Sequence, residues 1–339
     1  MVVIVCTSSF FKLQYKVRRE LMKFLSIIIF SLFCASGTLA QVTSTKNITL
    51  VVPTTSGTGS DIVARILAPK LAKALSTAVI VDNKIGASGT IAITAVANAA
   101  PDGNTVLVVP NTLAMIGSIY KKLPWDPIND FIPVARISKM PVALVVNPSI
   151  NVNTLEELVA YAKVRPGVLN FGTPGNGTPH HLRTEMFKQM TGINLVHVPY
   201  KGSAGAVTDL IGGQVQVGFF PLHSVLSMVA AGKLKMLATS GEVRTNWTPD
   251  IPTFRESGIK ELNDFDWIGV FLPKGTPLNV SNRLTKEILN IINQSDTQAD
   301  LAKHGVIANP GGPDEMSALL KKEIVEWRKT VEEAKIVAD

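Results

Sequence analysis

The stretch GTPGNGTPHHL, residues 172–182, sets adjacent histidines, His180 and His181, behind a glycine-rich loop. Imidazoles can ligate a metal or move a proton. A helical metal pair, however, needs i, i+4 spacing, and adjacent helical residues point about 100° apart. His197, His223 and His304 are scattered, with no carboxylate at ligand spacing, so no metal and no cofactor are expected. Catalytic signatures are also missing: there is no G-x-S-x-G elbow and no H-E-x-x-H pair, and a serine nucleophile would need a base brought in by the fold. No catalytic residue is assigned.

What the loop offers instead is backbone. Gly175 and Gly177 flank Asn176, and Thr178 followed by Pro179 is a helix-start signal, so unobstructed N–H groups gather at a positive helix end. His180 could add one hydrogen-bond donor, or be a first-turn surface histidine. Three more loops have this composition. PTTSGTGSD (53–61) carries Gly57, Thr58 and Ser60, with Ser60 or Asp61 as the expected helix cap. KIGASGT (84–90) has Ser88 as a plausible cap beside Gly89. VPYKGSAGA (198–206) places Lys201 and Gly202 before a helix opened by Ser203. One such loop is an ordinary turn; four together point to an anion-binding cleft.

The elements that would hold these loops alternate. ITLVVP (48–53), AVIVDN (78–83) and TVLVVP (105–110) read as buried strands, and apolar stripes at 60–75 and 88–100 read as helices between them. Pro69 should kink the first helix. A second series starts near residue 141: strands at 142–148, 168–172, 194–199, 215–220 and 234–239, with helices at 154–164, 179–191, 203–211 and 222–231. A strand at 267–273 and helices at 277–294 and 314–335 follow, too little for a third domain. The expected fold class is α/β, with two lobes, each a mostly parallel sheet flanked by helices, and two crossings between them. Lobe I takes residues 41–141 plus 267–339, and lobe II takes 142–266. In open α/β sheets ligands sit beyond the carboxyl ends of strands, which is where all four loops fall.

The first forty residues stand apart. A basic segment (16–23), a twelve-residue apolar run (24–35) and a small-residue end at 36–40 make a secretory signal peptide, with Met22 as the natural start. Cys6 and Cys34 lie within it, so the mature chain would carry neither thiol nor disulfide. Removing five basic residues and one acid from totals of 33 and 26 leaves 28 and 25, a net charge of +3. That balance does not favour nucleic acid.

In sequence, VPTTSGTGSDIVARIL, IGASGTIAITAVANAAPDGNTVL, LPWDPINDFIPVARI, LNFGTPGNGTPHHL and VPYKGSAGAVTDLIGGQVQVGF resemble the extracytoplasmic receptors of tripartite tricarboxylate transporters, the Bordetella-uptake-gene (Bug) type, over nearly all of residues 48–335. The resemblance implies a two-lobed periplasmic binding protein, type II-like and monomeric, that closes over a di- or tricarboxylate or related organic acid and delivers it to membrane permease subunits. The resemblance implies a binding protein and not an enzyme. By position it places Gly57, Thr58, Ser60 and Asp61 in one carboxylate loop and Gly175, Asn176, Gly177, Thr178 and His180 opposite, with Lys201, Gly202 and Ser203 completing the wall and Ser88 and Gly89 behind. Ser56–Gly57–Thr58 stands where the family has Pro-Gly-Gly, so an extra hydroxyl is expected at the ligand. Phe220 and Pro221 stand where an acid is common, which disfavours an amino-acid ligand. A ligand-presenting sensor for a membrane kinase and a secreted hydrolase of carboxylate esters or amides are the competing functions. On this reading Gly177→Val abolishes binding and His181→Ala does little.

Overall fold

The computed structural model describes residues 47–120, 122–262 and 264–333; the expected leader lies outside them. The chain runs β1 (Ile48–Val52), α1 (Gly59–Leu75), β2 (Val79–Asn83), α2 (Thr90–Ala97, entered through a 3-10 turn at Ala87–Gly89), β3 (Thr105–Pro110), α3 (Thr112–Ile119) and β4 (Phe131–Met140). It continues through β5 (Val142–Val146), α4 (Leu155–Lys163), β6 (Asn170–Thr173), α5 (Pro179–Thr191), β7 (Val196–Pro199), α6 (Ser203–Ile211), β8 (Val217–Pro221), α7 (Leu222–Ala230) and β9 (Lys235–Thr239). Last come β10 (Asp266–Pro273), α8 (Leu278–Ile292), α9 (Ser295–Lys303), β11 (Ile307–Gly311) and α10 (Pro313–Glu333).

Two sheets form, and each is the floor of one lobe. The first has the order β11-β4-β10-β3-β1-β2, the second β7-β6-β8-β5-β9. Uninterrupted apolar strands follow from burial on both faces. Leu50, Val52, Val106 and Val108 face one cluster with α1, while Val51, Leu107 and Val109 face another with α2 and α3. In the second sheet Val142, Leu144, Phe171 and Phe219 take one side and Ala143, Val145 and Phe220 the other.

The sheets are mixed rather than mostly parallel as the sequence suggests. β1 pairs in parallel with β2 and β3, and β6 with β7 and β8, as the βαβ pattern requires. Antiparallel pairing enters at strands next to the crossings: β10 against β3 and β4, β11 against β4, and β5 against β8 and β9. Only Pro141 separates β4 in the first sheet from β5 in the second. The return from β9 to β10 lands beside it, since Asp266 is the register partner of Met140. Ser240 and Val142 tie the crossings again, through Ser240 N–H to the Val142 carbonyl at 2.7 Å and Val142 N–H to Ser240 Oγ at 2.9 Å. A small apolar cluster of Met115, Ile119, Leu182, Trp327 and Val331 joins α3 and α10 to α5 across the lobes. α1 runs unbroken through Pro69. None of the described helices is long and apolar enough to cross a membrane.

Candidate functional site

A cavity of about 590 Å³ opens between the lobes, and all four glycine-rich loops reach it. From the first lobe come Pro53, Thr54, Thr55 and Thr58, then Ile85 to Gly89, with Ile93, Thr112 and Tyr120. From the second come Pro174, Gly175, Asn176 and Thr178, then Pro199 to Ser203. Hydroxyls dominate the polar groups. Among the described residues of the wall, Lys201 carries the one formal charge, and no Asp or Glu is present.

The two principal loops are built alike. Thr58 and Thr178 are the N-cap residues of α1 and α5, both with extended backbone, and neither caps its helix with its side chain. Each hydroxyl instead donates backwards: Thr58 Oγ1 to the Thr55 carbonyl and Thr178 Oγ1 to the Gly175 carbonyl, both at 2.7 Å. The expected caps Ser60 and Asp61 therefore sit inside the first turn of α1. Thr54 Oγ1 holds both Thr58 Oγ1 at 2.5 Å and Ser60 Oγ at 2.7 Å, which fixes the loop from beneath.

Glycine is required where the lobes approach. At Gly202 (φ +117°) a Cβ would lie 3.2 Å from Cγ2 of Thr55, and at Gly177 (φ +73°) 3.3 Å from Cδ1 of Ile119. Ser88 Oγ donates to the Asn176 carbonyl across the cleft at 2.7 Å. Ser88 itself has φ +54° within the 3-10 turn, so it does not cap α2; Gly89 takes that place. Tyr200, in the second-lobe wall, donates its hydroxyl to Asp209 at 2.6 Å, and burial, then that bond, push its pKa up to about 12.

Of the sequence-predicted residues, Thr58, Ser88, Gly89, Gly175, Asn176, Thr178, Lys201, Gly202 and Ser203 line this cavity. Five do not. Asp61 is turned inward: its carboxylate accepts from Gly57 N–H at 2.8 Å, Asn83 Nδ2 at 3.0 Å and Arg65 Nε at 2.9 Å. Burial alone would raise its pKa, but the Arg65, Gly57 and Asn83 bonds hold it below the usual carboxylate value. It is a brace for the loop. Ser60 is buried on Thr54. Gly57 lies in the wall of a neighbouring cavity, with its N–H committed to Asp61. Gly177 likewise spends its N–H on His181 Nδ1 at 3.2 Å. That imidazole stacks on His197 at 4.0 Å between centroids, and burial, with His197 and Lys188 adding to it, pushes its pKa down to about 3.

His180 is the fifth. It is buried at the crossings, Nε2 3.5 Å from Asp266 Oδ2, where burial pushes its pKa down to about 4 against the pull of Asp266. Beside it Arg183, fully buried, bonds Asp266 Oδ1 at 2.7 Å and Asp264 at 2.5 and 3.1 Å. Asn111 Nδ2 adds a bond to Asp266 at 3.2 Å. The helix that starts at the cavity is thus clamped to the returning strand by an ion network. Two family departures are also relocated: Ser56 Oγ donates to Asp61 at 3.2 Å outside the main cavity, and Phe220 and Pro221 are buried outside its wall.

Sequence reasoning missed Thr54 and Thr55, although both stand in the quoted first loop, and missed Thr112 and Tyr120, whose helix α3 gave no amphipathic signal. The comparisons agree with this architecture. Residues 63–336 match the model of the tripartite tricarboxylate transporter family receptor, TctC. The chain belongs to that receptor family. The receptor is 32% identical to protein BugT of Bordetella pertussis over 316 residues, covering 93% of this chain and 97% of that protein. R. palustris Rpa4515, solved with adipate, superposes with a TM-score of 0.83 at 32% identity, over 87% of this chain and 99% of the other. MatC from Rhodopseudomonas palustris, with bound malate, gives 0.79 at 29%, over 84% and 98%. The receptor therefore shares the periplasmic-binding-protein fold of its solved relatives.

Proposed function

We propose that this receptor binds a small organic acid, a di- or tricarboxylate, in the interlobe cavity and hands it to the membrane subunits of a tripartite tricarboxylate transporter. The observation that carries the reading is the wall itself: two lobes converge on one cavity that holds a single cation, Lys201, many hydroxyls and no carboxylate among its described residues. Such a wall favours an anion, and 590 Å³ is within the range of small-molecule sites. Adipate and malate in the two relatives support a dicarboxylate.

Binding rests on the nine wall residues that sequence and cavity share, with Thr54 and Thr55 added. Lys201 supplies charge; the positive ends of α1 and α5, presented by Thr58 and Thr178, supply dipole. Gly175 and Gly202 let the second-lobe loops approach the first. No bond in the ligand is broken. The lobes, residues 41–141 with 267–339 and residues 142–266, close by bending at the paired crossings, and the protein works as a monomer in the periplasm after its leader is removed.

Thermal unfolding of the chain from Gln41, freed of co-purified ligand, tests this against a panel of mono-, di- and tricarboxylates, amino acids and aromatic acids. A ligand at 100 times its Kd stabilises by about 2.7 kcal/mol, a clear rise in Tm. No response to any carboxylate would sink the proposal.

A further inference from the structure

A second cavity, of about 460 Å³, lies on the far side of the 54–58 loop. Thr55, Thr58 and Ser203 belong to both walls, and the approach of Gly202 to Thr55 lies where the two cavities meet. Both lobes build this one too. The first gives Ser56 and, at the end of α9, Lys303 and His304; the second gives the opening turns of α6 and α7, including His223 and Ser224. Gly305 (φ +65°) draws the α9 end against α7, where a Cβ would lie 3.0 Å from Cβ of His223.

Its chemistry is one-sided. No Asp or Glu lines it among the described residues, while Lys303 stands at the rim. Lys303 does bond Asp300 at 2.8 Å, but that pair is solvent-exposed and Asp300 is outside the wall. Two polar atoms of wall residues, Thr55 Oγ1 and His223 Nδ1, are buried without a hydrogen bond among the described residues. His223 Nε2 sits 3.3 Å from Ser224 Oγ. Burial pushes the His223 pKa down to about 4, so the ring is neutral at pH 7. Whichever of Ser224 Oγ and His223 Nε2 donates, His223 Nδ1 is left without a hydrogen-bond partner among the described residues.

We propose that this cavity is a second binding site, for a small oxyanion of the carboxylate, phosphate or sulfate kind, and that filling it holds the lobes closed over the first cavity. An anion gripped by both walls favours the closed arrangement. By linkage it then raises the affinity of the main ligand by the factor that ligand returns to it. The binding half of this proposal stands independently of the receptor reading; the coupling half rests on it.

The test is thermal unfolding during titration with sodium phosphate, sulfate or acetate against sodium chloride at matched ionic strength, pH 7, without other ligand. Three chains are compared: the parent, Lys303→Glu, and Lys201→Gln, which alters only the main cavity. The site requires at least one oxyanion to raise Tm beyond chloride in the parent and in Lys201→Gln, with apparent affinity at least tenfold weaker in Lys303→Glu. No response beyond chloride, an unchanged response in Lys303→Glu, or a loss confined to Lys201→Gln would each overturn it. In a second arm, saturating oxyanion should tighten the binding of a panel carboxylate at least twofold; unchanged affinity would overturn the coupling. Response to phosphate with none to any carboxylate would sink the receptor reading and leave this site standing.

Discussion

His181 illustrates how far side-chain roles depend on what lies around them. Its neighbour His180 looked like the ligand donor and His181 like a spectator, yet His181 Nδ1 accepts the Gly177 N–H and its ring fills the stack with His197 and Phe171. His181→Ala should therefore empty a buried site and orphan an amide. Costs of about 2–4 kcal/mol in stability are expected by chemical denaturation, with weaker ligand binding, because the 175–178 loop loses its support. Unchanged stability would show that the ring is dispensable. Thr178, Lys201 and Gly202 were legible in sequence, because cap chemistry and glycine turns are local. Asp61 and His180 were not: Asp61 is turned inward by Gly57, Arg65 and Asn83, the last in strand β2, and His180 lies against Asp266, far away in sequence.

Among the elements, those with a clean period were read closely and those bent to tertiary demand were not. Helices 179–191 and 203–211 begin and end where expected, since Thr178–Pro179 and Gly202–Ser203 start them and glycine follows each. α3 was missed because Thr112 to Ile116 are all buried, which erases the stripe that marks an amphipathic helix. β4 was missed because Pro133, Arg136 and Lys139 interrupt its pattern; the ladder absorbs the proline with a register shift between Val270 and Phe271. β11 tolerates Pro310 because it is an edge strand. The α5 clamp yields a prediction of its own. Arg183→Met leaves the buried Asp266 carboxylate without its cation, with Asn111 Nδ2 still bonded to it, and should cost about 3–5 kcal/mol, measured by denaturant unfolding. Adding Asp266→Asn removes the stranded charge and should recover part of that loss; no recovery would mean the network contributes through shape alone.

Across the whole molecule, the buried titratable groups set a pH optimum. His180 and His223 are held near pKa 4 and His181 near 3, against 6.5 in the unfolded chain, so unfolding takes up protons and stability falls as pH drops below 6.5. Glu323 runs the other way. Burial raises it to about 8 despite the Trp267 Nε1 bond, so its contribution declines as pH climbs from 4.5 to 8. Three histidines outweigh one acid below 6.5, and above it Glu323 acts alone among these four. Tm should peak near pH 6.5, and Glu323→Gln should flatten the alkaline side; an alkaline decline identical in that variant would count against the assignment.

A carboxylate seated in the first cavity between the lobes is the central requirement of the proposed function. Calorimetric titration of malate and adipate into the parent chain and into Lys201→Glu tests this most directly, since that change reverses the sole charge of the described wall at an exposed position. Binding of at least one of the two acids by the parent, weakened tenfold or more in Lys201→Glu, about 1.4 kcal/mol or greater, is the result expected. Equal affinity in both chains would place the carboxylate elsewhere and contradict the account.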